Sequence, residues 1–330
     1  MSNATNSRLE QLLSRFAAGD RLALARLITL VENRSADVAA VMERLYSGAA
    51  HAHIAGITGP PGAGKSTLID RVVAKLRARK QQVAVLAIDP SSPFSGGAVL
   101  GDRVRMGDHY NDPGVYIRSL STRGSHGGLS RAARQIVTLL EAFKFDVILV
   151  ETAGVGQTEL DIMDLAHTTV VVTVPEGGDG IQIMKAGLNE IADIFVVNKA
   201  DRDGADRVKA ELELNVYLRG GAGWRPPVLL TQAANDRGVE ALIAQLDRHW
   251  EYVRTHTDPQ AERQHRVHEF LEILTGQIEE RARNAFGNGR AHELLESVCT
   301  GRLNPYAAAR LLLDDPAAMG ALLSKTVVDC

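Results

Sequence analysis

The residues with the clearest chemistry are Gly59-Pro60-Pro61-Gly62-Ala63-Gly64-Lys65-Ser66-Thr67, which carry the G-x-x-x-x-G-K-S spacing of a phosphate-cradling loop. Glycines let backbone N–H groups turn inward and approach phosphate oxygens closely. A helix starting at the end of the loop adds its partial positive charge. Lys65 is then expected to reach the β- and γ-phosphates, and the Ser66 hydroxyl to ligate Mg2+. Three acids stand where they could serve the same centre. Glu151 ends the apolar run Val147-Ile148-Leu149-Val150, Asp89 ends a second apolar run, and Asp102 sits in the segment Gly101-Asp102-Arg103-Val104-Arg105-Met106. Together with Ser66 they make a set for Mg2+, a hard cation that takes oxygen ligands and keeps several waters. One of the acids could orient a hydrolytic water. Gly154 could donate its N–H to a γ-phosphate, whereas Gln157 lies well past the acid along the chain. Arg103 and Arg105 could offset transition-state charge, or simply be surface arginines.

A second motif selects the base. Asn198-Lys199-Ala200-Asp201 follows the apolar run Ile194-Phe195-Val196-Val197. In an N-K-x-D loop the aspartate accepts from guanine N1–H and the exocyclic amine, the lysine stem lies along the ring, and the asparagine orders the loop. Adenine offers neither donor, so the carboxylate would be left unpaired, and that penalty gives specificity for GTP and GDP. In Thr231-Gln232-Ala233 an N–H near Ala233 could donate to guanine O6, although a plain strand-to-loop junction accounts for these residues equally well. Gly177-Gly178-Asp179-Gly180, with Lys185 at the base of the stretch, reads either as a switch or as a merely flexible loop.

Something must hold these loops together, and the pattern of the chain says what. From about residue 52, apolar runs alternate with helical stretches, which predicts βα units and an α/β fold with a mostly parallel sheet covered by helices on both faces. The expected strands are 53–58, 83–88, 115–119, 146–151, 168–174, 193–197 and 227–231; the helices between them are 65–79, 129–143, 181–191, 205–219 and 237–252. In such a sheet ligands bind beyond the carboxyl ends of the strands, where every motif above falls. Residues 7–48 show helical spacing, with a break at Gly19-Asp20 and Asp20 a candidate cap. After Thr257-Asp258-Pro259 the chain reads as helices to about Phe286, near 290–300 and from Pro305 to Leu313, the first of them amphipathic. The expected organisation is a helical extension over 1–50, a nucleotide-binding domain over 51–256 and a helical arm over 257–330.

Bulk properties narrow the class. The chain has 330 residues with 37 basic against 40 acidic side chains, a balance with no electrostatic footprint for nucleic acid. Two cysteines, Cys299 and Cys330, rule against a disulfide framework or a cysteine metal site. No apolar run has the length of a membrane span, and Met1 to Glu10 is polar, so the cytoplasm is the expected location. The histidines, among them His51, His53, His109, His126 and His167, show no ligand spacing. A GTPase delivering nickel or another metal is the competing function, and it would be expected to carry a His/Cys cluster.

The combination of Gly59 to Thr67, Asp89-Pro90-Ser91-Ser92, Gly101 to Met106, Glu151-Thr152-Ala153-Gly154-Val155-Gly156-Gln157 and Asn198 to Asp201 resembles the MeaB/ArgK family. These are P-loop GTPases of the SIMIBI class that act as chaperones of methylmalonyl-CoA mutase and related B12-dependent acyl-CoA mutases. The resemblance implies a homodimer using the C-terminal arm, and a slow GTPase stimulated by the mutase. It also implies that nucleotide state gates adenosylcobalamin delivery and protects or rescues the mutase. It carries Lys65, Ser66, Asp89, Asp102 and Glu151 over as the phosphate, Mg2+ and hydrolysis set, and Asn198, Lys199 and Asp201 as the guanine set. Residues 176–187 resemble the loop that couples nucleotide state to the partner, with Lys185 its functional residue. Glu176 and Gly180 depart from the family pattern in that loop, as does Gln232 in the last guanine loop.

Overall fold

A computed structural model describes residues 3–33, 35, 37–46, 52–89, 107–109, 111–121, 126–152, 165–175, 188–220, 223–256, 259–285 and 289–323. Its described strands form a seven-stranded sheet in the order β3-β2-β4-β1-β5-β6-β7, every pair parallel. The strands are β1 (His53–Thr58), β2 (Val83–Asp89), β3 (Val115–Ser121), β4 (Val147–Thr152), β5 (Thr168–Thr173), β6 (Ile194–Val197) and the three-residue β7 (Val228–Leu230). They follow the apolar runs of the sequence because strands covered on both faces cannot afford alternate polar residues. Neighbouring residues of one strand feed opposite cores. Ile148 and Val150 join one core, Leu149 the other; Val171 joins a third, while Val170 and Val172 pack with Leu149.

The N-terminal helices belong to the first of these cores. α1 (Asn3–Ala17), α2 (Arg21–Glu32) and α3 (Val38–Leu45) bring Leu13, Phe16, Leu24, Leu27, Ile28 and Val41 against Ile136 and Leu140 of α5 (His126–Ala142). The break expected at Gly19-Asp20 is real: the Asp20 carboxylate accepts from Leu22 N and Ala23 N at 2.8 and 3.3 Å and so starts α2. Arg118 of β3 is paired with Glu32 of α2, which ties the prefix to the sheet edge.

The opposite core holds α4 (Lys65–Ala78) and α8 (Val239–Thr255), with Leu68, Val72 and Leu76 facing Leu242, Ile243 and Leu246. Their outer surfaces are cross-braced by ion pairs: Lys75 to Asp236 at 2.9 Å, Arg79 to Glu240 at 2.5 Å and Arg79 to Asp247 at 2.9 Å. The short α6 (Leu188–Ile191) lies within the helix expected over 181–191, whose first seven residues lie outside the described ones. α7 (Ala205–Arg219) packs Val208, Leu212 and Val216 on β6 and β7.

The chain divides into two compact units, Met1–His256 and Thr257–Cys330. The second contains α9 (Pro259–Ala285), α10 (Gly289–Cys299), α11 (Pro305–Leu313) and α12 (Pro316–Leu323). α12 was not anticipated from the sequence. Its signals are local: Pro316 occupies the first helical position, and the Asp315 carboxylate accepts from Ala317 N and Ala318 N at 2.9 and 3.0 Å. On α9 the apolar face is exposed, Val267 by 52% and Phe270 by 62%. Among the described residues no helix is long and apolar enough to cross a membrane.

Leu27 is fully buried between the prefix and α5. Leu27→Ala should therefore cost about 2–5 kcal/mol through lost burial and a residual cavity. Urea unfolding of the variant and the parent chain would read this as a lower midpoint at an unchanged slope.

Candidate functional site

The loop after β1 is shaped by close backbone approaches. Gly59 has φ +139°, and a Cβ there would run into the carbonyl of Val172 on β5. Gly64 has φ +87°, and a Cβ there would stand 2.5 Å from Asn198 Nδ2. Neither position tolerates a side chain, which is why the glycines of the motif are needed. Gly64 is also the N-cap of α4 and provides no side-chain cap, so the first-turn amides of that helix are left for a ligand. Lys65 is only 6% exposed; its ammonium donates to the carbonyls of Gly59 and Pro60 at 2.7 and 3.1 Å.

β4 lies beside β1 with Ile57 opposite Glu151, so register alone delivers Glu151 to the loop. Ser66 Oγ donates to Glu151 Oε1 at 2.7 Å, both residues buried. Behind them Thr152 donates to Thr58 at 3.0 Å, joining the ends of β4 and β1. β2 ends at Asp89, with Ile88 paired to Thr152, so Asp89 also arrives at this edge.

The loop Asn198 to Asp201 follows β6 and is bonded to the phosphate loop through one side chain. Asn198 is 2% exposed, and its Nδ2 donates to Ala63 O at 2.9 Å. Its Oδ1 accepts from Thr231 Oγ1 at 3.0 Å and from Ala233 N at 3.1 Å. Its own N–H donates to Thr173 O at 2.8 Å, and Ala200 N donates to Thr231 O at 3.0 Å. Lys199 adopts φ +55° and donates from Nζ to Gly62 O at 2.7 Å. Asp201 is exposed. Gln232 pairs with Arg237 through an antiparallel bridge, which sets the turn before α8.

The carboxyl ends of β1, β2, β4, β6 and β7 thus gather Gly59 to Thr67, Asp89, Glu151, Asn198, Lys199, Asp201, Gln232 and Ala233 on one rim. Asp102, Gly154 and Lys185, with Arg103, Arg105, Gln157 and the glycine-rich stretch 177–180, lie outside the described residues. The Ala233 N–H, a candidate donor to guanine O6, here donates to Asn198 Oδ1. Two contributors escaped the sequence reading: the Thr231 hydroxyl and the Thr58–Thr152 pair. Their signal was a β-branched polar residue closing an otherwise apolar strand, a pattern that many solvated strand ends share.

This geometry can hold a phosphate chain on backbone amides and a lysine, offer hard oxygen ligands to a cation, and present a carboxylate to paired N–H donors of a planar base. The chain is also similar to known proteins. Residues 24–286 match the family model described as methylmalonyl Co-A mutase-associated GTPase MeaB. A Pyrococcus abyssi protein whose name places it among the GTPases is 45% identical over 312 residues, spanning 93% of this chain and 96% of its own. The mouse protein named methylmalonic aciduria type A homolog, mitochondrial, is 32% identical over 334 residues, 95% of this chain and 80% of its own. A crystal structure titled LAO/AO transport system kinase superposes with a TM-score of 0.65 at 27% identity, covering 95% of this chain and 98% of that one. The chain belongs to the MeaB family, the MeaB/ArgK group of SIMIBI-class P-loop GTPases.

Proposed function

We propose that this GTPase is a chaperone of an adenosylcobalamin-dependent acyl-CoA mutase, working in the cytoplasm as a homodimer built through its C-terminal arm. In this reading GTP hydrolysis gates delivery of the cofactor and protects or reactivates the mutase. The observation that carries the reading is the Asn198 side chain, which hydrogen-bonds its own loop to the phosphate loop and to the loop after β7, within a chain of the MeaB family. The family description and the name of the mouse relative, a methylmalonic aciduria type A homolog, support a mutase as partner.

The roles follow from position. Lys65 leaves the Gly59 and Pro60 carbonyls to neutralise the β- and γ-phosphates, while the amides of Gly62 to Thr67 hold their oxygens. The buried oxygens of Ser66 and Glu151, 2.7 Å apart, fit the hard-ligand chemistry of Mg2+. Asp89 and Asp102 complete that set, and one of the three acids orients the attacking water. Bound Mg2+ would neutralise charge developing on the transferred phosphoryl group. Asp201 accepts from the guanine edge, Lys199 lies along the ring, and Gln232 and Ala233 close the pocket. Gly154 senses the γ-phosphate, and Lys185 in the loop 176–187 passes nucleotide state to the mutase.

Asp201→Asn should lower the preference for GTP over ATP by about 10- to 100-fold, the cost of about 1–3 kcal/mol for mispaired guanine donors. Competition titrations with both nucleotides measure this, and Lys65→Ala should abolish binding of either; unchanged discrimination in Asp201→Asn would sink the guanine assignment. Glu151→Gln should raise the Mg2+ concentration needed for half-maximal hydrolysis by at least the about 10- to 100-fold that loss of an outer-shell partner costs a metal site. For the mutase, the decisive measurement is nucleotide-dependent co-purification of an acyl-CoA mutase subunit from native cells, followed by GTP turnover with that subunit added. Stimulated turnover is expected; a mutase that neither co-purifies nor accelerates hydrolysis overturns the chaperone reading.

A further inference from the structure

At the amino-terminal edge of the sheet, the edge opposite the nucleotide loops, buried titratable side chains meet that the nucleotide chemistry does not use. His53 opens β1 and is 6% exposed, Thr168 opens β5 and is fully buried, and Asp193 immediately precedes β6. His249, Trp250 and Tyr252 come from the second half of α8, and Trp224 from the stretch before β7. His53 Nε2 and His249 Nδ1 each lie 2.8 Å from the Thr168 hydroxyl, and His249 Nε2 lies 3.3 Å from Asp193 Oδ1. Asp193 is itself fixed: its Oδ2 accepts from Thr169 N, and its carbonyl from Trp224 Nε1, both at 2.8 Å. Rings close the site. Trp250 stacks on His53 with centroids 5.0 Å apart and tilts over His167 at 4.6 Å, while Trp224 lies 4.6 Å from His249 and 5.4 Å from Tyr252.

Thr168 has one proton to give, so it donates to one ring nitrogen and accepts from the other. The chain closes with both rings neutral: His53 donates to Thr168, Thr168 to His249 Nδ1, and His249 Nε2–H faces Asp193. It closes again with one further proton shared by His249 and Asp193. It does not close with both rings charged. Two imidazolium N–H groups would then point at one hydroxyl oxygen, and like charges would lie side by side in a buried site.

Among the described residues, the groups around the chain bring it no further carboxylate. His53 faces His249 and His167, whose Nδ1 accepts from Ile54 N at 3.2 Å. The carboxylate of Asp146, whose carbonyl holds His53 N, is turned to Gln82 N. Just past α8, His256 stacks on Tyr252, and on α8 itself Glu251 and Arg254 face solvent. Burial, with His167 and His249 adding to it, pushes His53 down to about 3, and burial pushes His249 down to about 4. Burial raises Asp193 to about 6, opposed by the bond from Thr169 N. The signs follow. An unfolded histidine takes up its proton near pH 6.5 and these do not, so below that pH both cost stability. Asp193 works the other way between about 6 and its usual value, and offsets only one of them.

We propose that the His53–Thr168–His249–Asp193 chain is an acid-sensitive latch fastening the second half of α8, from which the chain leaves for its C-terminal unit, to the amino-terminal edge of the sheet. The molecule carries its own reporter, because its two tryptophans, Trp224 and Trp250, both belong to the latch. The test is an acid titration of the full chain by tryptophan emission and acrylamide quenching, with far-ultraviolet circular dichroism on the same samples. Emission should change and quenching rise in a step that precedes loss of the helical signal. His53→Gln keeps a donor for Thr168 but cannot charge; Asp193 then offsets the one histidine left, so the step should be lost from the range between about pH 6 and the usual aspartate value. Emission that follows circular dichroism at every pH, or an unmoved step in His53→Gln, overturns the latch. Should that variant not fold, hydrogen exchange on the parent chain decides, after correction for intrinsic rates. Residues 249–255 should lose protection before Lys65–Ala78 does, and simultaneous loss overturns it.

Discussion

The nucleotide end of this molecule depends on one buried carboxamide. Asn198 spends its donor on the phosphate loop and its acceptor on the threonine and the amide of the final loop. Each of those partners is buried, and leaving one unpaired costs about 1–3 kcal/mol. The loop after β6 and the phosphate loop are therefore not separable surfaces that happen to adjoin. A shift of the base loop must either carry Ala63 along or break the bond to it, and Gly64 is a glycine so that this bond has room to form.

Register in the sheet does comparable work at longer range. Glu151 meets Ser66 because β4 lies beside β1 with Ile57 opposite Glu151. A slip of one residue would turn that carboxylate to the other face and place Val150 or Thr152 against α4. The slip is resisted along the whole strand, since Ile148 and Val150 on one side and Leu149 on the other are each matched to a different core. Helices on both sheet faces are thus what keeps a single acid in place.

Much of this was legible in the sequence, for identifiable reasons. Strands buried on both faces are written as short continuous apolar runs, and Val147 to Val150 or Val170 to Val172 admit few other readings. The loop Gly59 to Thr67 and the loop Asn198 to Asp201 are legible because each is contiguous, with its residue types fixed by its ligand. Contacts assembled from distant parts of the chain were not legible. Thr231 shows as a strand end until Asn198 is placed beside it, and the Ala233 amide reads as free for the same reason. His53, Thr168, Asp193, Trp224 and His249 share no period and no motif; only the sheet order brings them to one edge. The second helical unit was read one helix short because α12 is brief and announced by a single Asp-Pro step.

The shortness of β7 has its own consequence. A sheet edge is ordinarily a template, a row of free backbone groups on which any extended segment can continue the ladder. Three residues, Val228–Leu230, expose too few such groups to hold a visiting strand. A strand this short disfavours capture of a passing extended segment at that edge.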